Sequence, residues 1–250
     1  MAIQGKKILI CVTGGIAAYK INYLIRDLVK KGAELQVLMT PSAEKFVSKL
    51  TLSTLSKKPV FSDFYSENGT WNNHVEFALW ADLILIAPCT ANTLAKMVHG
   101  ICDNLVIATY MSAKCPVMIA PAMDLDMYEH PSTKQNLELA EDFGHIIIPA
   151  ETGELASGLV GQGRMAEPEK ISKTIEDFFT SNTISLRGCC CKQICANKDN
   201  KRSGLIICAC SSTNTNRSPS PSKAMPRSAF SKRMAACKSV KCSACEGSGA

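Results

Sequence analysis

No apolar run in this 250-residue chain approaches the roughly 20 residues that a membrane-spanning helix requires. The N-terminus, MAIQGKKILICVTGG, has a basic pair, but its apolar stretch is too short for a signal peptide or a span. These absences predict a soluble, cytoplasmic protein with no membrane partner. Histidine is scarce, with four in the chain and none beyond residue 145. Acidic residues are nearly missing from the last part: residues 181–250 carry 2 Asp/Glu against 12 Lys/Arg, whereas residues 1–180 carry 20 against 16. The formal +6 is therefore −4 plus +10. It is a property of the tail and says nothing about partners of the first 180 residues.

The tail also lacks a sustained apolar period beyond LIICAC at 205–210, and it is expected to be a basic, low-complexity, largely disordered segment. Nine of the 13 cysteines fall there. Cys237-x4-Cys242-x2-Cys245 and Cys189-Cys190-Cys191-x3-Cys195 match no standard pair of zinc-ligand pairs. With no histidine in the tail, no metal site is expected. The aromatic interleaving of a base-stacking surface is missing, Phe230 standing alone, so no nucleic-acid partner is expected either. The other four cysteines, Cys11, Cys89, Cys102 and Cys115, lie in or beside apolar segments, where a thiol is a small buried hydrophobe. That usage fits a reducing compartment.

What the first 180 residues do contain is a series of short apolar strands alternating with helices. Lys7 to Thr13, Leu83 to Ala87 and Pro116 to Ala120 read as buried strands, and Glu34 to Met39 and His145 to Ile148 as two more strands. Helices are expected from the Gly14-Gly15 turn to about Lys31, after Thr40-Pro41-Ser42, from Ala91, over Asp103 to Ser112, over Pro131 to Phe143 and over Pro168 to Phe179. The fold class is α/β, a Rossmann-like, doubly wound parallel sheet. Its strands end in small polar turns: Thr13-Gly14-Gly15, Thr40-Pro41-Ser42 and Cys89-Thr90-Ala91-Asn92-Thr93. A strand, a polar turn and a helix N-terminus make an anion site, and Thr90 or Asn92 suits the helix cap. TGGIAAYK is neither GxGxxG nor a GK[ST] loop, so by itself the glycine pair is as compatible with plain packing as with phosphate binding.

Three further features stand near that edge. His74 follows a polar, turn-rich stretch, residues 57–73, which reads as a loop delivering it. Asp124 and Asp126 follow the strand ending at Ala120 and fit either a site or a helix N-cap. Glu151 to Glu167 (ETGELASGLVGQGRMAE) has four glycines, one cation in Arg164 and no regular period, which reads as a long lid or binding loop.

Four of these segments, TGGIAAYK, HVEFALWADLILIAPCTANT, PAMDLDMY and GELASGLVGQGRMAEP, occur in an order that resembles the flavin-dependent cysteine decarboxylases. Within them the pattern is most similar to the phosphopantothenoylcysteine decarboxylases of coenzyme A biosynthesis, over roughly residues 5–179, CTANT matching the family's PASANT-type signature. In bacteria this domain commonly precedes a synthetase domain, which is not recognisable in residues 181–250. The resemblance implies FMN as cofactor and assembly as a homotrimer or a dodecamer built from trimers, with the flavin at a subunit interface. It implies that Gly14, Gly15 and Ile16 contact FMN, that Thr40 and Ser42 lie near its phosphate, and that Thr90, Ala91, Asn92, Thr93 and Ala122 complete the site. It makes His74 the active-site histidine, and Asp124, Met127, Ala156 and Arg164 substrate-side residues.

The carboxylate of an N-acylated cysteine has no adjacent electron sink, so direct loss of CO2 leaves an unstabilised carbanion. Oxidising the thiol to a thioaldehyde puts a C=S bond beta to the carboxylate. Decarboxylation then gives a stabilised enethiolate, which takes electrons back to become 4′-phosphopantetheine. A histidine suits the proton transfers. Two residues depart from the family pattern. Asp124 stands where the family has an asparagine; an ionised carboxylate there repels the substrate's own, so it must be protonated or bind the amide N–H instead. Ser157 stands where the flap has a proton-donating cysteine, and a hydroxyl is a far weaker acid. The departures leave open a peptidyl-cysteine decarboxylase of the lantibiotic type, which stops at the enethiol, and a non-catalytic flavin-binding regulator.

Overall fold

The computed structural model describes residues 2–66 and 68–188, with side chains through residue 181. The cysteine clusters and most of the basic tail lie outside the described residues. Strands β1 (Lys7–Val12), β2 (Glu34–Met39), β3 (Val60–Phe61), β4 (Leu83–Cys89), β5 (Val117–Pro121) and β6 (Ile146–Ile147) form one parallel sheet. Its order is β3-β2-β1-β4-β5-β6, so the chain reverses direction across the sheet between β1 and β4. Crevices for ligands open at such a reversal, outside the carboxyl ends of the strands.

Alternation along β1 sorts the two layers. Ile8, Ile10 and Val12 pack with α1 (Ile21–Lys30), α2 (Lys49–Ser56) and α8 (Pro168–Gly188) through Leu24, Leu28, Leu52, Ile171 and Ile175. Leu9 and Cys11 point the other way, toward α3 (His74–Trp80), α4 (Ala91–His99), α5 (Leu105–Met111) and α7 (Pro131–Asp142) through Leu94, Met97, Val106 and Ala140. Burial of a Leu or Ile contributes about 1.5–3 kcal/mol. The inner strands therefore carry the cohesion, while two-residue β3 and β6 add little. Among the described residues no helix is long and apolar enough to cross a membrane.

Several elements differ from the sequence-based expectation. The segment after Gly15 starts as a 3-10 turn, Ile16–Lys20, before α1, and Ser42 opens only the short 3-10 turn Ala43–Lys45. The 57–73 stretch holds edge strand β3 and a hairpin bridge between Tyr65 and Trp71. His74 is the first residue of α3 rather than the end of a loop; the Asn73 side chain caps it by accepting from Val75 N–H. The glycine-rich Glu151–Glu167 segment is a hairpin, β7 (Glu151–Glu154) against β8 (Val160–Arg164), not an irregular loop. Gly158, at φ 83, makes its tip. Cys102 is exposed and Cys115 half-buried, so only Cys11 and Cys89 are the buried thiols expected of all four.

At the reversal, one buried hydroxyl joins β1 to β4. Thr13 Oγ1 donates to Pro88 O at 2.7 Å and accepts from Thr90 N–H at 3.2 Å. Thr13→Val keeps the shape but leaves a carbonyl and an amide without partners, at about 1–3 kcal/mol per stranded group. We expect urea unfolding to register a loss of about 2 kcal/mol for this variant. A change within the scatter of the wild-type measurement would show that the hydroxyl is not the clamp.

Candidate functional site

The three polar turns meet at the carboxyl edge. The turn after β1 and the turn after β2 approach so closely at Gly14 that a Cβ there would stand 2.7 Å from Ser42 Oγ. Gly14 is therefore required by packing. Gly15 is in open extended backbone (φ −156), and a Cβ would meet only Thr90 Cγ2 at 3.5 Å. Thr40 and Ser42 hydroxyls lie 3.2 Å apart. Thr90 caps α4, its Oγ1 accepting from Thr93 N–H at 3.4 Å, which settles the choice between Thr90 and Asn92. Ala91, exposed Asn92 and buried Thr93 form the first turn of that helix. Hydroxyls, backbone amides and a helix N-terminus, without a carboxylate among them, are the donor set a phosphate monoester fits. Ile16, 59% exposed beside them, offers an apolar surface. Burial pushes the Cys89 thiol up to about 12, so the cysteine of this turn is packing and not a nucleophile.

His74 reaches the same edge because α3 runs antiparallel to the strand it leads into, β4. Its ring is met edge-on by Phe64 and Trp71, at centroid distances of 6.2 and 6.0 Å. Its Nδ1 is buried and has no hydrogen-bond partner. A buried unpartnered imidazole nitrogen carries a desolvation cost, which a native site retains when a ligand is to fill it.

Beyond β5 the chain turns through Ala122, whose N–H donates to Cys89 O at 2.9 Å, into α6 (Leu125–Glu129). Asp124 holds the N-cap position of α6, yet its side chain makes no cap bond. It accepts instead from Ser157 Oγ at 2.7 Å. The hairpin that carries Ser157 is anchored at its base: Met123 N–H donates to Gly163 O at 3.0 Å, and a Cβ on Gly163 would collide with Met123 O. Met127 is half-exposed on α6, and Ala156 is exposed at the tip. Arg164 is engaged by Glu167. Glu167 also receives Lys20 Nζ at 2.9 Å, and that buried ammonium holds its carboxyl below the usual glutamate range.

The sequence-predicted residues thus fall into two contacting groups, the Gly14–Ser42 and Gly15–Thr90 turns on one side and the Asp124–Ser157 pair on the other. The ring of His74 meets Phe64 and Trp71. Sequence reading missed the roles of Thr13, Lys20 and Glu167. Their partners lie 75 and 147 positions away, beyond any local signal. A cavity of about 590 Å³ between the C-terminal ends of α4, α5 and α7 contains none of the predicted residues and sits at the opposite end of the sheet.

Similar proteins match this frame. A cysteine/cysteine sulfinic acid decarboxylase from an unknown prokaryotic organism is 54% identical over 140 residues, 56% of this chain and 39% of its own length. The coenzyme A biosynthesis bifunctional protein CoaBC of Bacillus subtilis is 43% identical over 182 residues, 72% of this chain and 45% of its own. This chain therefore spans less than half the length of these two relatives. A probable phosphopantothenoylcysteine decarboxylase of Streptococcus mutans is 43% identical over 175 residues, 69% of this chain and 98% of its own. Among solved structures, a cysteine-to-serine variant of PPC decarboxylase complexed with pantothenoylaminoethenethiol superposes with a TM-score of 0.64 at 33% identity, covering 71% of this chain and 100% of that one. Residues 2–180, the whole of the sheet, both helical layers and the hairpin, match the family described as Flavoprotein, and the chain belongs to that family.

Proposed function

We propose that residues 1–180 form a cytoplasmic, FMN-dependent decarboxylase that converts 4′-phosphopantothenoylcysteine to 4′-phosphopantetheine in coenzyme A biosynthesis. The observation that carries this reading is the carboxylate-free set of turns at the sheet reversal, with the unpartnered His74 Nδ1 on the same edge. Likeness to the probable phosphopantothenoylcysteine decarboxylase over nearly its full length supports the substrate.

In this reading Gly14, Gly15 and Ile16 would contact FMN, Thr40 and Ser42 would lie near its phosphate, and Thr90 to Thr93 with Ala122 would complete the site. Bound there, FMN supplies the two-electron acceptor that the cysteine thiol needs. His74 exchanges a proton with the reacting substrate; general acid–base help of this kind is worth about 10²–10⁴ in rate. Asp124 takes the substrate's amide N–H, and Met127, Ala156 and Arg164 line the space beneath the hairpin. A second reading, a peptidyl-cysteine decarboxylase that stops at the enethiol, is favoured by one observation, Ser157 in place of the flap cysteine.

Assembly as a homotrimer or dodecamer is proposed on the exposed aromatic and aliphatic side chains near this edge, Ile16, Tyr19 and Trp71, each at least 50% exposed. Light scattering should give the mass of three or twelve chains, and a monomer would refute this. For the cofactor, Gly15→Asp is informative because the backbone there tolerates a side chain. We expect a folded protein that melts like the flavin-free wild type and shows no flavin absorbance; full flavin content would place the phosphate elsewhere. For the histidine, His74→Asn should retain FMN and lose CO2 release by at least about 100-fold. Near-normal turnover would make His74 a bystander.

A further inference from the structure

We infer that Asp124 and Ser157 act as one proton-carrying pair, taking up the substrate's thiol proton during oxidation and returning it to carbon after CO2 leaves. This rests on the reading of the chain as a cysteine decarboxylase. The two positions where the chain departs from the family pattern are 33 residues apart in sequence, yet they share a 2.7 Å hydrogen bond. Neither side chain is accounted for by local structure. Asp124 sits at an N-cap and does not cap, and Ser157 is exposed on a hairpin tip. The tip around it, Leu155 to Val160, contains no other acid or base.

The pair is built to keep its geometry. Gly163 packs under Met123 O, and Gly161 lies against the Leu125 side chain, so close that a Cβ there would clash. Both contacts tie β8 to the turn that carries Asp124. The hairpin tip is closed by its own bonds, Leu155 N–H to Leu159 O at 2.8 Å and Gly158 N–H to Leu155 O at 2.9 Å. Ser157 is thus presented to Asp124 by elements fixed at both ends.

The chemistry balances through this bond. In the resting arrangement the Ser157 hydroxyl donates to the Asp124 carboxylate. Oxidation of the substrate thiol breaks its S–H and one C–H bond. FMN held by the turns of that reading would be the acceptor of the C–H hydrogen and its electron pair. The S–H proton passes to Ser157 Oγ as the serine proton passes to Asp124. Loss of CO2 then leaves an enethiolate. Asp124, now a carboxylic acid, donates to Ser157 Oγ while the serine proton goes to the carbon that held the carboxylate. The same FMN would be the donor of the hydrogen and electron pair that the carbon bearing sulfur gains, giving the product thiolate. A serine hydroxyl alone is too weak an acid for carbon protonation; relayed from a carboxylic acid it delivers that acid's proton. Thiol deprotonation is also open to His74 and water, so removing the acid falls on the second half of the reaction.

The test uses the flavin-loaded full chain with phosphopantothenoylcysteine, following CO2 and product mass. In Asp124→Asn and Ser157→Ala the saturated thiol should form at least about 100-fold more slowly relative to the CO2 released, so that the enethiol, lighter by two hydrogens, accumulates. Asp124→Asn with Ser157→Cys, which restores the family's pair, should recover the thiol to within about tenfold of wild type. A wild-type ratio of thiol to CO2 in Asp124→Asn, or no recovery of that ratio in the double variant, overturns the pair. Absence of CO2 release from the wild type defeats the decarboxylase reading instead. On the flavin-free protein, Ser157→Ala should raise hydrogen exchange of the tip amides roughly tenfold with β1 to β5 unchanged. Unchanged tip exchange shows that the bond does not hold the hairpin and overturns the proposal.

Discussion

Thr13 Oγ1 spends its hydrogen on the Pro88 carbonyl and accepts the Thr90 amide, and it does so at the one place where the sheet reverses its winding. Both faces of the sheet are covered by helices, so ligands have access only at its ends. At the carboxyl end three turns must stand side by side without a regular ladder to hold them. The Thr13 bonds replace that ladder between β1 and β4, and the Ala122 amide on Cys89 O does the same between β4 and β5. The positions of Gly15 and Thr90 relative to each other follow from these few bonds.

Much of this was legible in the chain. Strands buried on both faces leave continuous apolar runs, and KILICV, ELQVLM, LILIA and VMIA are such runs. The polar turns behind them were visible for the same reason, as abrupt ends to apolarity. What did not show had physical causes. Two-residue β3 is too short for a period, and α3 exposes Val75 (40%) and Leu79 (58%), so its apolar residues do not mark a core-facing stripe. The hairpin is held by backbone pairing across glycines, which contribute no side-chain alternation. Asp124 illustrates the limit of local reading. Its position is that of a helix cap, and only a partner 33 residues away reveals that the side chain is committed elsewhere.

The site therefore has two halves of different character. The turns after β1, β2 and β4 are rigid, set by sheet bonds and by a glycine with no room for a side chain. The half formed by Asp124, α6 and the hairpin is held by a few contacts, Met123 to Gly163, Leu125 to Gly161 and Asp124 to Ser157, and its tip is exposed. The turns are fixed by bonds at the sheet edge, while the hairpin joins the sheet through the segment around Asp124, so the hairpin can vary without disturbing the sheet.

The Lys20–Glu167 contact has a consequence for how the molecule is made. Lys20 is 6% exposed, and its ammonium finds an anion only 147 residues later in the chain. During synthesis β1, β2 and β4 have left the ribosome well before Glu167 emerges, since chains grow at about 5–20 residues per second. Until then the ammonium has no carboxylate, and burying it unpaired costs several kcal/mol. Burial of the Ile16–Lys20 turn, which follows Gly15, is thereby coupled to the segment at the hairpin base that carries Glu167.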